Sequence, residues 1–130
     1  MILLTLVSVC AYSQSKQMSV LDISSMPKAS AGMEVSVSGF IGYESIANRL
    51  YLSKADAVLN NLPHSAVIAF APKDMEMIRE QCSGRYAIIF GQLEYQDGRK
   101  TTVLRVSRIF VFRNIEEGAN AVDSLCYTAG

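Results

Sequence analysis

The chain has little with which to do chemistry. Its 130 residues contain one histidine, His64, which follows Pro63 in a loop-like stretch without a serine or cysteine motif around it. A lone loop histidine is ordinarily a surface residue rather than a general base. The acidic residues are scattered singly, so spacing implies no carboxylate pair. No Walker loop, glycine-rich dinucleotide turn or HExxH occurs. Net charge is also lacking, with 12 Lys and Arg against 12 Asp and Glu, so no global field draws in nucleic acid or an anionic membrane. Two distant cysteines and one distant histidine do not make a metal ligand set. The expectation is no enzyme, no cofactor and no metal. There is no internal repeat, no low-complexity tract and no second domain.

What is present is enough for one compact domain: half of the residues are hydrophobic, which supports a real core at this length. Residues 1–13 read as a signal peptide. The run from Ile2 to Ala11 is uncharged and mostly apolar, too short to span a bilayer, so no transmembrane span is expected in the mature chain. Ala11-Tyr12-Ser13 offers small residues where a signal peptidase reads, and polar Gln14-Ser15-Lys16-Gln17 follows. No Lys or Arg precedes the apolar run, which departs from the usual leader. A lipid-anchored form through Cys10 is a second option, against which Val9 counts. A buried amino-terminal strand is the third. The expected location is periplasmic or secreted. Cleavage after Ser13 would leave Cys82 and Cys126, which either pair or remain free thiols. A bridge of that span would stabilise by about 3–4 kcal/mol in the chain-entropy model.

After an amino-terminal extension over 14–31, the pattern from 32 to 113 is that of strands. Met33 to Ile41 alternates apolar and polar residues, interrupted by Gly39, and a glycine inside a strand marks a bulge or bend. Arg49-Leu50-Tyr51-Leu52 is a short second strand, after which Ser53 caps a helical turn through Leu59. Ser65 to Phe70 is an apolar third strand. A helix opens at Pro72, places Met75, Ile78 and Cys82 on one inner face, and stops at Gly84. Arg85 to Tyr95, with Gly91 inside it, is the fourth strand. Asp97-Gly98 marks a hairpin, and Thr101 to Arg113 is a fifth strand long enough to need a bulge near Ser107-Arg108. The tail over 114–130 begins with a short helix through Ala119-Asn120-Ala121-Val122. Three strands, one helix, then two strands is the order of a mainly β, five-stranded OB-type barrel with one helix between strands three and four.

The segments Gly32 to Ile41, Leu50-Tyr51-Leu52-Ser53 and Tyr86-Ala87-Ile88-Ile89-Phe90-Gly91 resemble those of small exported OB-fold proteins of bacteria, mostly without an assigned activity. That resemblance covers about residues 32–113 and implies fold and compartment, not a ligand. The shape also resembles the periplasmic haem chaperone of cytochrome maturation, which attaches haem through a histidine near the carboxyl end of the barrel; this chain has none there. The nuclease version of the barrel uses clustered acids for calcium together with arginines, and Arg85, Arg105 and Arg108 lack obvious acidic companions.

Binding is then the expected function class, on the face made by strands two and three with their flanking loops. Candidate ligand-binding residues are Tyr43, Arg49, Tyr51 and Lys54, with Arg99 and Lys100 from the loop between the last two strands. Aromatic and basic residues suit single-stranded nucleic acid or sugar rings. Each also has a structural reading, Tyr51 as cross-strand packing and Arg49 as a solvated strand end. From Ser83 to Arg113 six basic residues (Arg85, Arg99, Lys100, Arg105, Arg108, Arg113) face two acidic ones (Glu94, Asp97), a net +4 balanced by −4 elsewhere. That is a binding face or an ordinary solvated surface. The expected partner is an envelope protein or glycan. A single-stranded nucleic-acid-binding domain is the alternative, disfavoured by zero net charge and export. A lid, inhibitor or assembly factor docking through a barrel edge is a third class.

Overall fold

A computed structural model describes residues 15–112 and 122–130. The leader with Cys10, and Arg113, lie outside the described residues. The molecule is mainly β, built on a closed, five-stranded, mixed barrel of OB type. Its elements are β1 (Lys16–Met18), α1 (Val20–Ile23), β2 (Glu34–Ile41), β3 (Arg49–Tyr51), α2 (Lys54–Val58), β4 (Ser65–Ala69), α3 (Met75–Gln81), β5 (Tyr86–Gln96), β6 (Thr101–Phe112) and β7 (Val122–Thr128).

Closure depends on β2 having two barrel neighbours. It runs antiparallel to β5 from Glu34↔Gln92 to Phe40↔Tyr86, while its end pairs with β3 at Phe40↔Tyr51 and Ile41↔Leu50. β3 then pairs antiparallel with β4, β4 parallel with β6 at Ile68↔Leu104 and Ala69↔Arg105, and β6 antiparallel with β5. Alternating side chains such as Val35, Val37, Ile89, Leu104, Ile109 and Val111 fill the interior, each at most 1% exposed.

Gly39 and Gly91 stand where strands approach most closely. A Cβ at Gly39 would lie 2.6 Å from the Tyr51 carbonyl oxygen and 2.9 Å from Leu50 Cγ. One at Gly91 would fall on the Arg105 carbonyl. Neither glycine has positive φ, so collision rather than backbone strain demands the missing side chain. Phe90 pairs with Arg108 but Gly91 with Val106, which leaves Ser107 as the extra residue of a bulge, at the expected place.

The third-to-fourth-strand helix is α3, entered through a 3-10 turn at Pro72–Asp74. Ile78 and Cys82 are fully buried and Met75 packs against the same core. Gly84 ends the excursion at φ +69°, a left-handed conformation that suits glycine. Between β3 and β4, Ser53 caps α2 by accepting from the Asp56 amide at 3.2 Å.

Two flanking segments complete the molecule. β1 pairs parallel with β2, and α1 contributes fully buried Val20 and Ile23, so the amino-terminal extension is part of the core. At the other end the short helix expected over 119–122 is not supported at Val122, which begins β7; positions 119–121 lie outside the described residues. β7 pairs with β6 from Arg108↔Thr128 to Phe112↔Val122. Tyr127 opposes Ile109 but Leu125 opposes Phe110, making Cys126 a bulged residue. The bulge carries Cys126 to Cys82, with which it forms a disulfide across 5.7 Å between Cα atoms. Such a bond is consistent with an oxidising environment. Beside it the Tyr127 hydroxyl donates to Asp74 Oδ2 at 2.6 Å. Among the described residues no helix is long and apolar enough to cross a membrane.

Candidate functional site

β4 is the axis of the site. It pairs with β3 from Ser65 to Val67 and meets β6 only at Ile68 and Ala69. Nearer its start the two strands splay, and the gap opens a cleft of about 370 Å³ lined by Ser24, Arg49, Leu62, Pro63, Ser65, Ala66, Val67, Arg99, Thr101 and Thr102. A second cleft of about 510 Å³ continues past Val67 and Arg99, which line both, to Ser45, Asn48, Ile68, Ala69, Phe70, Pro72, Met75 and Gln96. Together they make one trough on the β3–β4 side, walled by the β2–β3 and β5–β6 loops.

Local structure sets the polar groups. Arg49 is opposite Val67, and Ser65 lies two residues away on the same face. Arg49 Nη1 donates to Ser65 Oγ at 2.8 Å, and Ser65 Oγ donates to the Leu62 carbonyl at 2.8 Å. One of the five guanidinium donors is thereby used and the group is held in place. Arg99 sits in the β5–β6 turn, its amide bonded to the Gln96 carbonyl at 3.1 Å. Thr101 and Thr102 donate their hydroxyls to the Ser24 and Met26 carbonyls, fastening the segment after α1 to the floor of the gap. Among the described lining residues there is no carboxylate.

Of the six residues singled out in the sequence, Arg49 and Arg99 line the same cleft. The other four candidates do not line the trough. Tyr51 requires correction as a stacking residue: it is 0% exposed, packed with Phe40 and Ala57 in a small second core, and its hydroxyl donates to Asn60 Oδ1. α2 buries it, and burial pushes its phenol up against the opposing charge of Arg49. Tyr43 is exposed, but its ring lies 5.4 Å from that of Phe40 and packs over Gly84. Lys54 opens α2, where its amide donates to the Tyr86 hydroxyl. Lys100 is an exposed turn residue with φ +53°.

Two described members of the basic half, Arg105 and Arg108, have partners of their own. Arg105 pairs across the hairpin with Glu94 at 3.1 Å, an acidic companion that its sequence neighbourhood hid. Lys28 reaches Asp97 at 3.2 Å. Arg108 lies over the Phe90 ring, 4.9 Å from its centroid, with Phe110 beside it. His64 braces a loop: its Nδ1 is 3.2 Å from Asp56 Oδ1. Hydrogen bonds from Asn61 and then Ser53 hold the Asp56 carboxyl below its usual range. Among the described residues no group of His, Cys, Asp and Glu could hold a metal ion.

Sequence reasoning missed the residues that shape the walls, chiefly Leu62, Phe70, Met75, Asn48 and Gln96. Ser65 alone carried a usable signal, as the polar opening of an apolar strand facing Arg49. No protein-family model matches the chain, and no curated protein or solved structure matches it significantly.

Proposed function

We propose that the protein is an exported, non-catalytic binding module that holds an envelope protein or glycan partner in the β3–β4 trough. The observation that carries this reading is the concavity itself, with Arg49 and Arg99 converging on the face that OB-type barrels use for ligands. Export rests on the apolar leader and fits with the Cys82–Cys126 bond. The resemblance to small exported OB-fold proteins of bacteria points the same way. Against a nucleic-acid ligand stand the buried Tyr51, zero net charge and a trough whose described lining contains one aromatic residue, Phe70.

Two measurements test this. Fractionation of cells expressing the tagged full-length chain should find a shortened protein outside the cytosol; intact protein in the cytosol refutes export. A pull-down from envelope extract should capture a partner with the parent protein and lose it with Arg99→Glu. Capture that ignores this substitution moves the binding face elsewhere. Single-stranded oligonucleotides should bind no tighter than the non-specific micromolar range at physiological salt.

A further inference from the structure

The chemistry of the trough narrows the class of ligand. Arg49 and Arg99 line it without a carboxylate among its described residues, and neither makes an ion pair with a described residue. Guanidinium groups match carboxylates through paired, charge-assisted hydrogen bonds. Between them Leu62 and Val67 offer aliphatic surface, and Met75 adds more beyond, among neutral polar residues such as Thr101, Asn48 and Gln96. Methionine adapts to varied apolar side chains. A single aromatic, Phe70, leaves no row of platforms for stacked bases or sugar faces.

Backbone geometry adds a third constraint. The His64 carbonyl and the Ile68 amide bond towards β3, to Leu52 and Asn48. By strand alternation the Ser65 carbonyl and the Val67 amide face the opposite side, the Ser65 amide being taken by the Leu62 carbonyl. That is the side on which β6 has splayed away, for β6 rejoins only at Ile68 and Ala69. An extended chain laid in the gap meets that carbonyl and that amide, a short edge of the kind used in recognition by strand addition. Its acidic side chains would meet Arg49 and Arg99, and its aliphatic ones Leu62 and Val67.

We infer that the trough takes an extended polypeptide segment of a partner protein in which acidic and aliphatic residues alternate. This rests on reading the trough as the binding face. The stretch of β4 that β6 leaves uncovered, Ser65 to Val67, spans about 10 Å, so about three ligand residues engage it.

The test is a titration of the full chain with a fluorescein-labelled peptide of about eight residues, alternating glutamate with leucine and valine between glycine-serine ends. The comparison probes are the same peptide with glutamine for glutamate, an oligogalacturonate and an oligo-dT. The acidic peptide should bind at least about tenfold tighter than its glutamine counterpart and weaken about tenfold or more in Arg99→Glu. Arg99 is an exposed turn residue, and an unchanged melting midpoint confirms that the variant is folded. Equal binding of the glutamine peptide, or indifference to Arg99→Glu, overturns the inference. Arg99-sensitive binding of oligogalacturonate or oligo-dT alone overturns the peptide class but keeps the trough as a binding face. If no probe binds, the peptide class falls, and the pull-down with parent and Arg99→Glu decides whether the binding face falls with it.

Discussion

The two halves of β6 lead different lives. Its second half, from Arg108 to Phe112, lies between β5 and β7, and β7 is tied back to the end of α3 by a disulfide and to Asp74 by a tyrosine. Its first half pairs fully with β5, yet on the other side it meets β4 only at Leu104 and Arg105. One end of the strand is closed with covalent and hydrogen-bonded ties. The other is left open, floored by the Ser24–Met26 segment and flanked by arginines. A small barrel can leave strands splayed at a ligand face when the opposite seam supplies rigidity. Stability and binding should therefore respond to different substitutions.

The sharpest way to break that division is to remove the bridge. Cys82→Ser with Cys126→Ser should cost about 3–4 kcal/mol in denaturant unfolding, while binding in the trough stays within about twofold of the parent in dilute denaturant-free buffer. A comparable loss of binding would show that the seam and the trough are one unit.

Next come the two glycines at the strand crossings. Gly91→Val and Gly39→Val should each destabilise by about 1–3 kcal/mol, through collision with the Arg105 and Tyr51 carbonyls. Gly91 should be the more severe because backbone alone blocks it most closely. Denaturant melts that leave both midpoints unchanged or raised would speak for a flatter, more open sheet, in which valine is the better strand former.

A smaller effect falls on the open side. Ser65→Ala removes both the acceptor that holds Arg49 and a donor to Leu62, and should cost about 1 kcal/mol of stability. Its larger consequence should be weaker trough binding, because Arg49 loses its fixed position. A variant that melts early but binds normally would assign Ser65 to the scaffold instead.

The pH responses distinguish the two sides most finely. Burial, then the Asp74 carboxylate, pushes the Tyr127 phenol up to about 12 from the ordinary 10.0. The neutral phenol is thus favoured by folding, so this contribution is complete below pH 10 and lost as pH rises towards 12. Tyr127→Phe should flatten the alkaline limb of a stability profile. For Asp56 the sign is opposite: its lowered pKa stabilises above the ordinary carboxylate range and is lost as pH falls through the folded value. Asp56→Asn should flatten the acid limb. Chemical melts across pH check both, and an unaltered limb in either variant removes that group from the account.

Much of the barrel was legible in the chain because its signals are local. Period-two alternation, the serine cap at Ser53, the Asp97-Gly98 turn and the helix stop at Gly84 each act over a few residues, Gly39 and Gly91 show as breaks in that alternation, and strand order then restricts the topology. The excess length of β6 even disclosed its bulge. That Arg49 and Arg99 fall on one side of the barrel was legible because one sits in its second strand and the other in the loop between its last two. Tertiary structure alone decided the rest. Tyr51 is buried because α2 folds over β3, and the helix's tilt is not written in the tyrosine's neighbours. Arg105 finds Glu94 only once the hairpin sets its register. The pairing of Cys82 with Cys126 needed a bulge that turns one side chain out of the strand's alternation. The trough itself exists because β4 and β6, distant in sequence, run parallel for two residues and then part, and no local preference encodes where two distant strands separate.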